Sequence, residues 1–128
     1  TDYLETARDI MAQAEKAGCR VLLPVDGLVA RAFKAGAEYD VVPLGADTVL
    51  EADQMVLDAG PDTVAQVEVA FANLKTLIWN GPMGAFEIAP FDTATVATAR
   101  CAAAGVDGGQ DPARRCGIGR LKRKHLCH

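Results

Sequence analysis

Aromatic side chains are scarce in this sequence, and segments that would direct a chain to a membrane are missing. Only 5% of the 128 residues are aromatic, although 50% are hydrophobic. Small residues must therefore fill much of the interior, which suits helices packed on a buried parallel sheet. There is no secretory signal or long apolar stretch, and the four cysteines include no Cys-x-x-Cys pair. We therefore expect a reduced, soluble, cytoplasmic protein without a membrane partner or a zinc site.

Charge is distributed unevenly along the chain. Residues 1–100 contain fifteen acidic and seven basic side chains, a net charge of −8, whereas residues 101–128 contain two acidic and six basic ones, a net charge of +4. The second part also has little apolar periodicity. We therefore predict one domain over residues 1–104 and a basic, disordered tail over residues 105–128. Because the chain opens at Thr1, just ahead of a predicted helix, we expect that upstream sequence is missing.

The spacing of apolar residues predicts alternating helices and strands. A helical stripe ends at Gly18, which is placed as a stop signal. The stripe consists of Leu4, Ala7, Met11 and Ala14. The later elements are a strand at 21–23, a segment at 25–33 that suits strand or helix, strands at 39–42 and 56–58, a helix capped by Asp62 or Thr63, a strand at 76–79 and a helix from about 90 to 104.

The order of these elements predicts the fold class. Strand 56–58, the helix after it and strand 76–79 form a βαβ unit, so the two strands should be parallel with a right-handed crossover. The prediction is an α/β fold with an incomplete Rossmann-like three-layer parallel sheet, helices on both faces and an irregular basic tail.

A loop rich in Gly and Pro follows the last predicted strand, from Asn80 to Glu87. In an open α/β sheet, ligands bind beyond the carboxyl ends of the strands. Asn80 can donate and accept hydrogen bonds, and the Glu87 carboxylate can accept them from paired hydroxyls such as those of ribose. Free N–H groups and the dipole at the start of the next helix would face the same edge. On these residues alone, a nucleotide site and a plain structural turn are both open.

Residues 79–87 carry a resemblance to a known family. They read Trp-Asn-Gly-Pro-Met-Gly-Ala-Phe-Glu, which is very similar to the Trp-Asn-Gly-Pro-x-Gly-x-Phe-Glu signature of phosphoglycerate kinases. Leu-Leu-Pro-Val-Asp at 22–26 and Leu-Asp-Ala-Gly-Pro at 57–61 resemble two further segments of that family, in its order and at about its spacing. The likeness covers about residues 4–98 and points to part of the C-terminal, nucleotide-binding domain.

The resemblance implies a function and a set of binding residues. Members of the family transfer a phosphoryl group between 1,3-bisphosphoglycerate and ADP with Mg²⁺ in glycolysis, and they are usually monomeric. By resemblance, Glu87 binds the ribose hydroxyls, Pro82 and Leu57 border the nucleoside, and Asn80 and Gly81 lie toward the phosphates. Phosphoryl transfer depends mainly on positioning and charge neutralisation, so none of these residues is assigned a catalytic role.

The sequence departs from the family where the phosphates and the metal would bind. The phosphoglycerate-binding domain and the start of the nucleotide domain, with its phosphate-contacting lysines, are missing. Residues 108–112, Gly-Gly-Gln-Asp-Pro, are the nearest match to the family's Gly-Gly-Gly-Asp-Thr loop, so we assign no metal ligand. We therefore expect a fragment that holds ADP or ATP weakly, meets phosphoglycerate only through the missing domain, and is inactive alone. A frameshift or sequence error near Arg100 is a hypothesis for the change in pattern there.

Other features of the chain have plainer interpretations. Trp79 is expected in the core, and Asp26 and Asp58 are expected to stabilise turns. The alternative function is a non-catalytic module whose basic tail contacts nucleic acid through the run at 120–124. Because no aromatic residues are interleaved there, we do not expect a nucleic-acid partner. The missing strands should leave apolar surface uncovered, which favours aggregation.

Overall fold

The helices and strands lie within residues 2–106, the part of the chain that the computed structural model describes. The elements in chain order are α1 (Asp2–Lys16), β1 (Asp26–Ala30), β2 (Tyr39–Pro43), β3 (Met55–Ala59), α2 (Pro61–Phe71) and α3 (Thr93–Val106). They form an incomplete α/β fold, which confirms the predicted class. The predicted basic tail lies outside the described residues.

Helix α1 ends where the sequence predicts. Gly18 adopts a left-handed conformation with a φ of 65°. Its N–H donates to the carbonyl of Glu15 (3.0 Å), and the N–H of Cys19 donates to the carbonyl of Ala14 (2.8 Å). This Schellman arrangement satisfies carbonyl groups that the end of a helix would otherwise leave unpaired. The apolar stripe predicted on α1 stays largely exposed.

The three strands form one sheet in the order β2-β1-β3, and both pairs are antiparallel. The central strand is β1, whose five residues are all buried, so the segment that suited strand or helix is a strand. Leu28 pairs with Val41 of β2 and with Asp58 of β3. The predicted parallel sheet is therefore wrong for residues 2–106. The connection from β1 to β2 is a short loop, and antiparallel neighbours need no crossover helix.

Two predicted strands, at 21–23 and 76–79, do not form, so the predicted βαβ unit is also wrong. Leu23 is 60% exposed and Ile78 is 87% exposed. Strand-forming residues stabilise a sheet by packing against neighbouring strands, and the described residues place no strand beside either segment. The sequence pattern predicts burial for both segments, whereas the structure leaves Leu23 and Ile78 exposed.

The core is built around the ring of Phe91, which is fully buried. Tyr39 of β2 meets this ring edge to face, with 5.8 Å between the ring centroids. Leu28, Ala30, Ala37 and Leu57 complete the buried cluster. The alanines of this cluster confirm that small residues fill part of the interior. Phe91 lies just before α3, so the core fixes the start of this helix next to the sheet.

Candidate functional site

A cleft of about 330 Å³ lies beside β3 and the loop that contains the family signature. Most of its lining side chains are apolar, and among the described residues the ionisable ones in the lining are two aspartates. The lining residues are Pro24, Asp26, Phe33, Leu44, Val56, Leu57, Asp58, Ala59, Met83, Gly84 and Ala85. A mostly apolar cleft of this size with a few polar groups is typical of small-molecule sites.

Two hydrogen bonds donated by backbone N–H groups hold residues 83–85 of the loop in place. The N–H of Ala85 donates to the carbonyl of Leu57 in β3 at 2.7 Å. The N–H of Met83 donates to Oγ1 of Thr95 in the first turn of α3 at 3.0 Å. The loop is therefore held between a strand and a helix, and its position depends on how these two elements pack.

Gly84 allows the loop to approach Asp58 closely. A Cβ atom at position 84 would lie 2.2 Å from Oδ1 of Asp58 and 2.7 Å from its Cα. Both distances are shorter than any contact that a real side chain tolerates. Glycine is therefore required here by space, and this requirement gives a physical reason for the second glycine of the signature.

Asp58 joins β3 to α3. Its Oδ2 accepts a hydrogen bond from the N–H of Ala94 at 2.9 Å, and its Oδ1 accepts one from the N–H of Ala59 at 2.9 Å. Because Ala94 lies in the first turn of α3, the carboxylate caps this helix from the sheet. Burial raises the pKa of Asp58 above its ordinary value, although the hydrogen bonds from Ala94 and Ala59 oppose the shift.

Asp26 has the same role for α2. Its carboxylate accepts hydrogen bonds from the N–H groups of Asp62 (3.0 Å) and Thr63 (2.8 Å), and the Thr63 hydroxyl lies 2.6 Å from Oδ1. Burial raises the pKa of Asp26, but the hydrogen bonds from Thr63 and Asp62 outweigh it, so the pKa is below its ordinary value. The predicted cap at Asp62 or Thr63 is wrong. Gly60 stands at the cap position and has no side chain, and Asp26 supplies the missing acceptor from β1.

Both aspartates are buried, so the turn-stabilising role expected from the sequence is too local a description. A buried carboxylate is costly unless donors satisfy it. The sequence signal for this role was an acidic residue directly after an apolar run, in Val25-Asp26 and Leu57-Asp58. That signal indicates a need for donors, but it cannot say that the donors are helix N–H groups more than thirty positions away.

The structure divides the predicted binding residues into two groups. Leu57 is buried and lines the cleft. Exposed positions outside the cleft lining are occupied by Asn80, Gly81, Pro82 and Glu87. Trp79 is half-buried and belongs to no strand, so its predicted place at a core strand end is wrong. The three cleft residues of the signature, 83–85, follow directly after Pro82.

Two N–H groups at the start of α3, which the sequence predicts to be free for a ligand, are bound within the protein. The N–H of Ala94 is bound by Asp58, and the N–H of Thr93 donates to the carbonyl of Pro90 at 3.3 Å. At least these two donors stabilise the fold and do not face a ligand. The predicted anion contact at this helix start is therefore wrong for these two groups.

The described residues do not fit a magnesium site of their own. Among residues 2–106, no group of three or more His, Cys, Asp or Glu side chains is arranged to hold a metal ion. The carboxylates that line the cleft, Asp26 and Asp58, already accept hydrogen bonds from the two helices.

None of the helices in this part of the chain is long and apolar enough to span a membrane.

The described residues form an incomplete α/β fold with a cleft beside β3 and the signature loop. The structure is similar to that of phosphoglycerate kinase from Coxiella burnetii, with a TM-score of 0.73 and 31% identity over 80% of this chain and 26% of that chain. The sequence model of phosphoglycerate kinase matches residues 1–117. The chain belongs to the phosphoglycerate kinase family.

Curated relatives agree with this assignment. Phosphoglycerate kinase from Roseobacter denitrificans is 71% identical over 98 residues, which are 77% of this chain and 25% of the relative. Phosphoglycerate kinase from Methylobacterium radiotolerans is 57% identical over 109 residues, 85% of this chain and 26% of the relative. The chain therefore spans about a quarter of the length of the curated relatives it matches. The resemblance is confirmed. The match to the sequence model of the family extends past Arg100, the position near which a frameshift or sequence error is a hypothesis.

Proposed function

We propose that the chain is the nucleotide-binding side of a phosphoglycerate kinase. In the complete enzyme this side would hold ADP or ATP while a phosphoryl group passes to or from phosphoglycerate, in the cytoplasm and as a step of glycolysis. The observation that carries the proposal is the cleft in which Leu57 and residues 83–85 meet. These residues belong to two segments by which the chain resembles the family, and the fold brings them together although they lie 26 to 28 positions apart in the sequence.

The chemistry of the cleft suits the base of a nucleotide better than its phosphates. Phe33, Leu44 and Met83 offer apolar surface to a flat ring, and within residues 2–106 no Lys or Arg lines the cleft. We expect the anionic phosphates to extend past the rim, toward Asn80 and Gly81. Residues 1–100 carry a net charge of −8, which opposes the binding of a polyanion and makes weak affinity the expected result.

Turnover requires groups that residues 2–106 do not bring to the cleft. Phosphoryl transfer needs cations directed at the transferring group. Mg²⁺ would enter on the phosphates of the nucleotide, and phosphoglycerate would bind to residues outside this chain. A coupled assay of the purified chain should therefore detect no phosphoglycerate kinase activity. Measurable turnover that disappears in Glu87→Ala would contradict this expectation.

Titration with MgADP tests the proposed binding function. Trp79 is the only tryptophan and directly precedes Asn80, so its emission should report on a ligand at the loop. We expect a saturable change in emission. Glu87→Gln should weaken binding about fivefold to tenfold, because the loss of charged hydrogen bonds to ribose costs about 1 kcal/mol. Glu5→Gln, at an exposed position on α1, is the matched control and should leave the affinity unchanged.

The titration is preceded by urea unfolding, which establishes that the chain is folded. A chain that unfolds cooperatively but shows no saturable signal with MgADP would refute the binding function. An unchanged affinity in Glu87→Gln would leave nucleotide binding intact and remove the ribose contact from the proposal.

A further inference from the structure

We infer that Asp58 is a positioning residue of the nucleotide cleft, because it sets the spacing between β3 and α3 in which the signature loop is held. The consequence for ligand binding rests on the function proposed above. The consequence for the loop itself does not.

Asp58 lies where three parts of the fold meet. It belongs to β3, its carboxylate binds the N–H of Ala94 in α3, and it is in contact with Gly84 of the loop. Its side chain is 2% exposed, so water does not compete for these contacts. Removal of the carboxylate would release the first turn of α3 from the end of β3.

The loop depends on both of the elements that Asp58 connects. Ala85 donates its N–H to Leu57, the residue before Asp58, and Met83 donates its N–H to Thr95, the residue after Ala94. Leu57 is adjacent in sequence to Asp58, and Thr95 is adjacent to Ala94. Both hydrogen bonds of the loop are therefore accepted by residues next to the Asp58–Ala94 hydrogen bond. A shift of α3 relative to β3 would stretch the Met83 bond, the Ala85 bond or both.

Asp26 provides a matched control within the same molecule. It too is a buried aspartate of the sheet that accepts hydrogen bonds from the first turn of a helix. Its close glycine is Gly60, at the start of α2, whereas that of Asp58 is Gly84, in the loop. Loss of the Asp26 cap should weaken the fold without a specific effect on residues 83–85.

Asparagine is the informative replacement because it preserves shape and removes one acceptor. Each oxygen of Asp58 accepts one backbone N–H, from Ala59 and from Ala94. In Asp58→Asn, the side-chain amide would direct its own N–H groups at one of these donors. One of the two bonds is then replaced by an unfavourable contact between donors.

Amide hydrogen exchange of the full chain tests the inference residue by residue. In Asp58→Asn, exchange at the N–H of Ala85 and Met83 should be at least tenfold faster than in Asp26→Asn, after both rates are corrected for global stability measured by urea unfolding. The affinity of Asp58→Asn for MgADP should also fall about tenfold relative to the wild-type chain. Equal protection of Ala85 in the two variants would overturn the inference. If the wild-type chain does not bind MgADP, the proposed function fails, and the exchange rates still decide the role of Asp58.

A measurement on the unaltered chain covers the case in which Asp58→Asn does not fold. The amide chemical shifts of Ala94 and Ala85 are followed as the pH is lowered, with Asp92 as the neighbouring charge that also acts on Asp58. If Asp58 positions the loop, both amides should titrate at one common midpoint, while the amide of Thr63 follows Asp26 at a lower one. An Ala85 amide that ignores the Ala94 transition would overturn the inference.

Discussion

Asp26→Asn is expected to lower the free energy of unfolding by about 2–4 kcal/mol at pH 7, since it disturbs a buried carboxylate with several charged hydrogen bonds. The N–H groups of Asp62 and Thr63 lie 3.0 and 2.8 Å from this carboxylate. Asparagine can accept at only one of its two terminal atoms, so at least one helix N–H is left opposite another donor. Urea unfolding measures the loss, and Asp9→Asn, on the exposed surface of α1, should change stability by less than about 0.5 kcal/mol.

The pH dependence of this loss follows from the sign of the pKa shift. The pKa of Asp26 is lower in the folded chain than its ordinary value of 3.8. The stabilisation by its carboxylate is therefore fully present above that value and is lost as the pH falls through the folded pKa. The difference between wild type and Asp26→Asn should shrink on acidification below pH 3.8. A difference that stays constant or grows there would contradict the assigned role.

The contribution of Asp58 to stability should depend on pH with the opposite sign. Burial raises its pKa in the folded chain, so its contribution to stability is largest below the ordinary value and declines as the pH rises through the folded pKa. Two aspartates with the same structural role therefore have opposite pH profiles. The physical difference is the balance between burial and hydrogen bonding, because the Thr63 hydroxyl adds a bond at Asp26.

Gly84→Ala is expected to cost about 2–3 kcal/mol, because overpacking against backbone cannot be relieved by a side-chain rotation. The new Cβ would lie 2.7 Å from the Cα of Asp58 as well as 2.2 Å from its Oδ1. Gly45→Ala is the matched control, since the nearest atom to its Cβ would be 4.0 Å away. Urea unfolding of both variants measures the effect. Similar small losses in the two variants would show that the loop does not pack against Asp58 as described.

Local patterns in the sequence predicted the elements that depend mainly on local interactions. The end of α1 follows from Gly18, and the helix after Pro90 follows from its own residues. The strands at 39–42 and 56–58 are confirmed because each has a neighbour in the sheet to pair with. The strand predicted at 76–79 does not form, because no other strand lies beside it within residues 2–106 to pair with it.

The candidate site was only partly accessible from the sequence. The signature identified the loop, and the family resemblance, which includes the segment at 57–61, identified Leu57, which the structure brings to the cleft. It did not identify Asp26 and Asp58 as helix caps, because their partners are distant in sequence. It also could not indicate that residues 83–85 form the cleft wall while Asn80 and Glu87 are exposed, because hydrogen bonds from the loop N–H groups to the Leu57 carbonyl and the Thr95 hydroxyl decide this.

Titration of the ¹⁵N-labelled chain with MgADP, followed by amide chemical shifts, tests the central claim most directly. Binding in the cleft predicts saturable shifts at Leu57, at residues 83–85 and at Glu87, with one common dissociation constant. Shifts confined to another surface, such as the shallow groove formed by residues 35–40 with Ala89 and Pro90, would contradict the claim. A folded chain whose amides do not respond to saturating MgADP would contradict it equally.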